Sequence, residues 1–437
     1  MYNIFYLEDQ RQVEESLHLN QVHLPLETIC QIEKFGNFKF NVVNNGQVDL
    51  LNENPVIIPF DYQSIPFSHE SRNKIDTVSD LGRTVQGIVE KVYKIVPNKK
   101  IFLLYSSTEP YFNDNCLFVD ELAKKYTDCE FVLSGSGTVD CWYQDNIEKL
   151  KENNNVRMIH KLWYIDRVHY IKTYSEFVGS SRHFDENNTV PPPDTPDYIT
   201  CPNKFLLTMR NPRPHRIIMS TFIERNLSTV RYSRNWCLQP WWFDKIKNDF
   251  EQEYQYQVNL LLGSVRGLIK HVDDPKFVQE AMDKLYHPPH ILDMQTIEDR
   301  GHPPKWLYDN ISIALIPTGE HDGYGYADEK QIIPMYYKKP FITFGQVGVY
   351  EELEKIGFDV FRNVFDLAFS KQTDLFKHVK DCYYMIRDIA KLDEEDLIRL
   401  VAKCEEGVEH NYNHVTSGEF RHASNNNFFG ELTNASS

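Results

Sequence analysis

This 437-residue chain has no Cys-x-x-Cys pair, no apolar run of membrane-spanning length and no excess of basic residues. Each absence removes a class of protein. The eight cysteines, at 30, 116, 129, 141, 201, 237, 382 and 404, stand singly, and no Cys/His spacing suits zinc. Reduced thiols in a cytosolic protein are the simplest reading. A membrane helix needs roughly 20 consecutive apolar residues, and the chain offers none. Its start, MYNIFYLEDQRQVEESLHL, has neither a basic n-region nor an unbroken apolar h-region, which argues against a signal peptide. Lys and Arg number 47 against 63 Asp and Glu, and the resulting charge of −16 repels DNA, RNA and anionic membranes on average. The run Leu133–Gly137 has neither GxGxxG nor Walker spacing, so it reads as a flexible turn after a strand. There is no internal repeat and no DxD motif placed after a strand.

What is present points to an α/β protein. The length exceeds one ordinary core, so two domains are expected. Apolar content of 41% and aromatic content of 13% suffice for packed cores. Strand-like runs at Ile4–Leu7, Phe38–Val43, Val56–Pro59, Ile101–Tyr105, Phe131–Leu133 and Val156–Ile159 alternate with helical patterns at Val78–Val96 and Leu117–Tyr126. That alternation predicts a mostly parallel sheet. Gly179–Pro202, polar and with five prolines, reads as an interdomain connection. A second α/β pattern follows, with strands at Phe205–Thr208, Ser312–Ile316 and Pro340–Phe344 and a short one near Val360. Trp236–Asp283 reads as helical, as do Thr373–Leu392 and Glu394–Glu409. The expected organisation is an N-terminal α/β domain over 1–178, a linker over 179–203 and a C-terminal α/β domain over 204–370. Terminal helices over 371–417 and a mobile tail over 418–437 complete it. Tyr232, Trp236, Trp241 and Trp242 could stack on a ligand, but aromatics at this density more often pack a core.

Two segments carry chemistry. In Ile311–Gly345 an apolar strand enters a Gly/Asp/Tyr-rich loop, which opens into Asp328-Glu329-Lys330 and a helical segment before the strand that ends at Gly345. Upstream, Phe205-Leu206-Leu207 is followed by a turn with two prolines and then by His215-Arg216 at the head of a helical run. Both are strand–loop–helix units, whose helix N-termini suit anions. Arg216 and Lys330 would each present a cation at such a start, with Arg213 assisting. In the first half, Glu109 follows the strand Ile101–Tyr105 and is the candidate general base, with Asp114 and Asp120 in reserve.

The segment Tyr326-Ala327-Asp328-Glu329-Lys330 resembles the donor-binding Tyr-x-x-Glu-Lys signature of the α1,3-fucosyltransferase family. The opening strand, polar loop and Arg216 helix start resemble the same family's C-terminal domain. The resemblance covers roughly Phe205–Phe361 and implies two Rossmann-like domains facing a cleft, the GT-B-like arrangement. It implies an inverting glycosyltransferase that needs no metal and no cofactor beyond a nucleotide-sugar donor such as GDP-fucose. Arg216 and Lys330 would hold the leaving diphosphate, and Tyr326 and Glu329 would bind sugar and ribose hydroxyls. Glu320 stands where the family has an Asn, so the donor is not restricted to GDP-fucose. The acceptor would be a glycan or another hydroxyl compound. Lacking the family's usual anchor, the chain would be a soluble, cytoplasmic member of bacterial or viral type. Two alternatives stay open: a non-catalytic glycan-binding or structural protein of this fold, and a glycosyltransferase acting on modified DNA bases. The net charge counts against the second.

Overall fold

The computed structural model describes residues 2–6, 40–44, 56–60, 80–95, 101–105, 113–135, 152–160, 203–209, 211–234, 236–249, 251–287, 308, 311–319 and 329–417. The chain divides into two compact units, Met1–Arg167 with Arg421–Ser437, and Val168–Phe420. The expected Pro-rich linker and mobile tail lie outside the described residues, apart from the linker's last position.

In the first unit, strands β1 (Tyr2–Tyr6), β2 (Phe40–Asn44), β3 (Val56–Phe60), β4 (Ile101–Tyr105), β5 (Phe131–Gly135) and β6 (Val156–His160) form one sheet in the order β2-β1-β3-β4-β5-β6. Every pairing is parallel. Helix α1 (Asp80–Ile95) separates β3 from β4, and α2 (Asn113–Lys125) separates β4 from β5. Their apolar positions Val89, Val92, Val119 and Leu122 are buried with Val56, Ile58, Ile101 and Phe131 of the strands. The end of α2 is closed by Asn155, whose Nδ2 donates to the carbonyls of Ala123, Tyr126 and Cys129 at 3.0–3.1 Å. Asn155 thereby ties the last turn of the helix to the turn that follows it.

In the second unit, β7 (Asn203–Met209), β8 (Val230–Arg234), β9 (Ile311–Pro317) and β10 (Phe341–Phe344) form a parallel sheet in the order β10-β9-β7-β8. All seven positions of β9 are buried, as expected of a strand covered on both faces. Helix α3 (Pro214–Asn226) follows β7, and α4 (Pro240–Asp249), α5 (Glu251–His271) and α6 (Pro275–Leu285) follow β8. Helix α7 (Glu329–Tyr336) joins β9 to β10, and α8 (Val349–Lys355) follows β10. A 3₁₀ turn at Ala368–Lys371 precedes α9 (Leu375–Ala390), α10 (Glu394–Ala402) and α11 (Glu405–Ser417).

These closing helices belong to the second unit's own packing. Phe222 of α3 stacks on Tyr383 of α9 at 4.7 Å between ring centroids. Lys204 of β7 donates to the Ala390 carbonyl at 2.6 Å, at the end of α9. Asn411 of α11 bonds both the N–H and the C=O of Asp359.

The pattern readings fail in five places, the first at Leu133, Ser134 and Gly135: read as part of a turn, they continue β5 in register with β6. No strand forms at Val360, where the chain runs as an irregular segment held by Asn411. β8 escapes the sequence because its run VRYSR is half polar, as suits the sheet edge. The helix expected over Glu394–Glu409 is two, α10 and α11, broken at Lys403-Cys404. By spacing, Ile217, Ile218, Phe222 and Ile223 of α3 would lie on roughly one apolar face, yet the helix is buried at every position from Pro214 to Ile223.

Candidate functional site

The second sheet reverses its winding between β7 and β9. From β7 the chain first adds β8 on one side, then returns to place β9 on the other. At such a switch point the connections leave the strand ends in opposite directions and open a crevice, the usual ligand site of a parallel sheet. Here β7 feeds residues 210–213 and then α3, while β9 feeds residues 318–328 and then α7. The two segments singled out in the sequence therefore meet at one edge.

Helix α3 begins without a side-chain cap, and Pro214 occupies its first turn. The turn is fixed from behind by α5, where Ser264 Oγ donates to the Pro212 carbonyl at 3.0 Å. Gly267 lets the Pro214 ring approach so closely that a Cβ would lie 2.5 Å from its Cγ. Held there, His215 and Arg216 turn back onto the loop after β9. Arg216 Nη2 donates to the Thr318 carbonyl at 2.7 Å, and its Nη1 donates to the Asn211 carbonyl at 2.9 Å. His215 Nε2 lies 3.1 Å from the same Thr318 carbonyl. A carbonyl only accepts, so this contact requires the proton on Nε2. Arg213 Nε reaches the Gly319 carbonyl at 3.3 Å.

β10 closes the junction. Thr318 N–H donates to the Phe344 carbonyl at 2.9 Å. Gly345 follows with φ of 120°, and a Cβ on it would lie 2.3 Å from Thr318 Oγ1 and 2.8 Å from His215 Cδ2. Only glycine fits that backbone and that gap. Its N–H donates to His378 Nε2 of α9 at 3.1 Å, while His378 Nδ1 faces the Gln372 carbonyl at 3.3 Å. Both bonds suit the neutral ring, and burial lowers the His378 pKa to about 4.

The start of α7 is pinned by Gln331, whose Nε2 donates to Thr343 Oγ1 at 3.2 Å. That hydroxyl donates on to the Ile316 carbonyl at 3.0 Å. The hydroxyl of Tyr350 accepts from the Thr343 N–H and donates to the Thr343 carbonyl. It thereby satisfies backbone groups on the sheet-edge strand β10.

The sequence-predicted residues divide accordingly. Lys330 is half-buried on the first turn of α7, and Arg213 is half-buried beside the β9 loop. Glu329 begins α7. Arg216 departs from expectation. A cation presented to a donor diphosphate would be exposed, yet Arg216 is only 4% accessible and holds two backbone carbonyls. Glu109, Glu320 and Tyr326 lie outside the described residues. The reserve base Asp120 is buried on α2, with Lys124 Nζ at 2.6 Å on one oxygen and Asn153 Nδ2 at 2.8 Å on the other. Both oxygens are thus occupied by structural partners. Trp236 is a core residue and Trp241 is exposed. Sequence reasoning missed Thr318, His215 and His378 as parts of the junction. The available signal was Gly345 directly after an apolar strand, a position that needs an unusual backbone.

Among the described residues no group of three or more His, Cys, Asp or Glu is placed to hold a metal ion. Among them, too, no helix is long and apolar enough to cross a membrane. No protein-family model and no curated protein matches this sequence. Among solved structures the chain is similar to a protein named as a UDP-N-acetylglucosamine 2-epimerase from Listeria monocytogenes, with TM-score 0.33 and 9% identity over 95% of this chain and 94% of that one. It is also similar to the UDP-GlcNAc 2-epimerase of Neisseria meningitidis bound to UDP-GlcNAc, with TM-score 0.34 and 9% identity over 95% of this chain and 98% of that one.

Proposed function

We propose that the second unit binds a nucleotide-sugar donor along the C-terminal edge of its sheet, and that the chain is an inverting, metal-independent glycosyltransferase. The observation that carries this reading is the β7/β9 switch point, where Arg213 of one connection and the Lys330 helix start of the other lie on one edge. The resemblance of Tyr326–Lys330 to a fucosyltransferase donor segment supports a sugar nucleotide, with GDP-fucose as the reference donor and other sugars open.

Transfer in this reading is a single displacement at the anomeric carbon. The acceptor oxygen bonds to that carbon as the bond to the diphosphate oxygen breaks. The departing diphosphate gains negative charge, which Lys330, Arg213 and the α7 N-terminus offset. Glu329 and Tyr326 hold hydroxyls of the donor, and Glu320, at the position of the family's Asn, contacts its base or sugar. A carboxylate takes the acceptor's proton, and Glu109 is the candidate. The acceptor is a glycan or another hydroxyl compound.

A thermal-shift screen against GDP-, UDP-, CMP- and dTDP-sugars in EDTA tests the reading directly, because a ligand that binds only the native state raises the unfolding temperature. Stabilisation by one nucleotide family in EDTA is expected. Binding that disappears in EDTA and returns with Mn²⁺ removes the metal-free mechanism. Glu109→Gln should retain donor affinity and lose transfer by about 10²–10⁴-fold, the usual share of a positioned base. Near-normal transfer by that variant removes Glu109.

A further inference from the structure

The buried guanidinium at the switch point has a task other than the charge role that the sequence suggests. Arg216 bridges the two connections at the switch point, taking one carbonyl from each: Asn211 after β7 and Thr318 after β9. Thr318 is held a second time by His215 and a third time through its own N–H on Phe344. Its Oγ1 abuts the space that a side chain on Gly345 would need. The Thr318 carbonyl is therefore fixed toward α3 by two side chains of that helix, while its own N–H is tied to β10. The peptide that follows is planar and trans, as are all those described. With its C=O turned toward α3, the Gly319 N–H is turned the opposite way, and Arg213 fixes the next carbonyl of the same loop.

We propose that Arg216 is a positioning residue rather than a ligand contact. Its two bonds set the Thr318–Gly319 peptide so that the Gly319 N–H, with Arg213, receives a phosphate oxygen of the donor. The proposal rests on the donor reading above. A guanidinium suits this task because its forked N–H groups reach two carbonyls at once, which a lysine ammonium on its flexible stem does not reproduce.

GDP is the probe. It is titrated calorimetrically, over a range of salt concentrations, into the wild type, Arg216→Lys, Arg216→Gln and Arg213→Ala, each well below its own unfolding midpoint. Hydrogen exchange of the segment 315–319 is followed in the same proteins without nucleotide. Arg216→Lys and Arg216→Gln should both weaken GDP about tenfold or more, as loss of charge-assisted hydrogen bonds would. Their salt dependence should stay that of the wild type, and exchange in 315–319 should speed up. Arg213→Ala should flatten the salt dependence, as loss of a contacting charge does. If Arg216→Lys keeps wild-type affinity while Arg216→Gln flattens the salt dependence, Arg216 touches the nucleotide and the proposal is overturned. Lower stability with unchanged GDP affinity also overturns it, because the residue is then purely structural. If the wild type binds neither GDP nor any other nucleoside diphosphate, the donor reading fails on its own. The peptide-setting role is then decided by exchange: faster in the Arg216 variants supports it, unchanged rejects it.

Discussion

Arg216 and Lys330 stand at equivalent places, each at the start of a helix that follows a core strand of one sheet, and the protein treats them in opposite ways. Arg216 is 4% accessible and bound to backbone carbonyls on two loops. Lys330 is half-buried, one residue into α7. The difference follows from loop length. Only residues 210–213 separate β7 from α3, whereas residues 318–328 separate β9 from α7. A four-residue connection brings the first turn of α3 down onto the strand ends, and its side chains land among main-chain oxygens. The longer connection does not force the start of α7 into the same position. A cation at a helix start thus becomes a structural tie where a short preceding connection draws it in among main-chain oxygens.

The sharpest way to break the tight side is to insert atoms at its centre. Gly345→Val forces a side chain into contact with Thr318 and His215 on a backbone with φ of 120°. Overpacking and positive-φ strain together should destabilise the protein by about 4 kcal/mol. Urea denaturation measures this; a loss below about 1 kcal/mol, the range of an ordinary substitution, would mean that the junction opens freely.

Protonation attacks the same junction from behind. The buried His378 ring accepts the Gly345 N–H, and its pKa falls from the ordinary 6.5 to about 4. Below pH 6.5 the unfolded chain takes up this proton while the folded chain does not, down to about pH 4. The unfolded state binds more protons in that window, so stability falls as the pH drops through it. At 1.36 kcal/mol per pKa unit the loss from this one group amounts to about 3 kcal/mol. His378→Asn should be less stable at neutral pH and lose this part of the pH dependence. An unchanged slope between neutral pH and pH 4 in the variant would show that His378 is not the group responsible.

Much of this layout was legible in the sequence, and the rest was hidden for physical reasons. Apolar runs marked β7 and β9 because strands buried on both faces read as continuous hydrophobic stretches. β8 was illegible because an edge strand tolerates the polar residues of VRYSR. The break between α10 and α11 was hidden because residues on both sides keep helical spacing. At the site, the sequence showed that Arg216 begins a helix after a strand. It could not show that the guanidinium is drawn inward, since that depends on the Thr318 carbonyl about a hundred residues away in sequence. His378 was illegible for the same reason, because its partner Gly345 lies on another element.

On the Arg216 side the smaller change is to remove the donors and keep the stem. Arg216→Met retains most of the buried volume but leaves the Asn211 carbonyl without that donor and the Thr318 carbonyl with one fewer. His215 still serves Thr318, so the loss should be about 2 kcal/mol, near one abandoned buried acceptor. Denaturation of Arg216→Met and Gly345→Val, singly and together, would show whether they act on one unit. A double variant less destabilised than the sum is expected for residues sharing a junction.

Lys330→Ala should have the smallest effect on stability and is the control that gives the comparison its meaning. The side chain is half-buried at the first turn of a helix whose anchoring is done by Gln331, next in the chain. Alanine is a better helix former than lysine, which offsets part of what the half-buried side chain contributes, so the net change should be about 1 kcal/mol or less. A cation at a helix start also sits against the positive end of the helix dipole, so its removal slightly favours the helix. Stability near that of the wild type is therefore expected. Nucleoside diphosphate affinity should fall about tenfold, close to the worth of one charge-assisted contact. Salt should then weaken binding less steeply than in the wild type. Such a variant separates binding from folding, which Arg216→Met cannot do. If Lys330→Ala destabilises as much as Arg216→Met, the two helix starts are equivalent after all, and loop length is not what distinguishes them. If it leaves both stability and nucleotide affinity untouched, Lys330 has no part in the site, and the diphosphate's charge must be met from the β7 side alone.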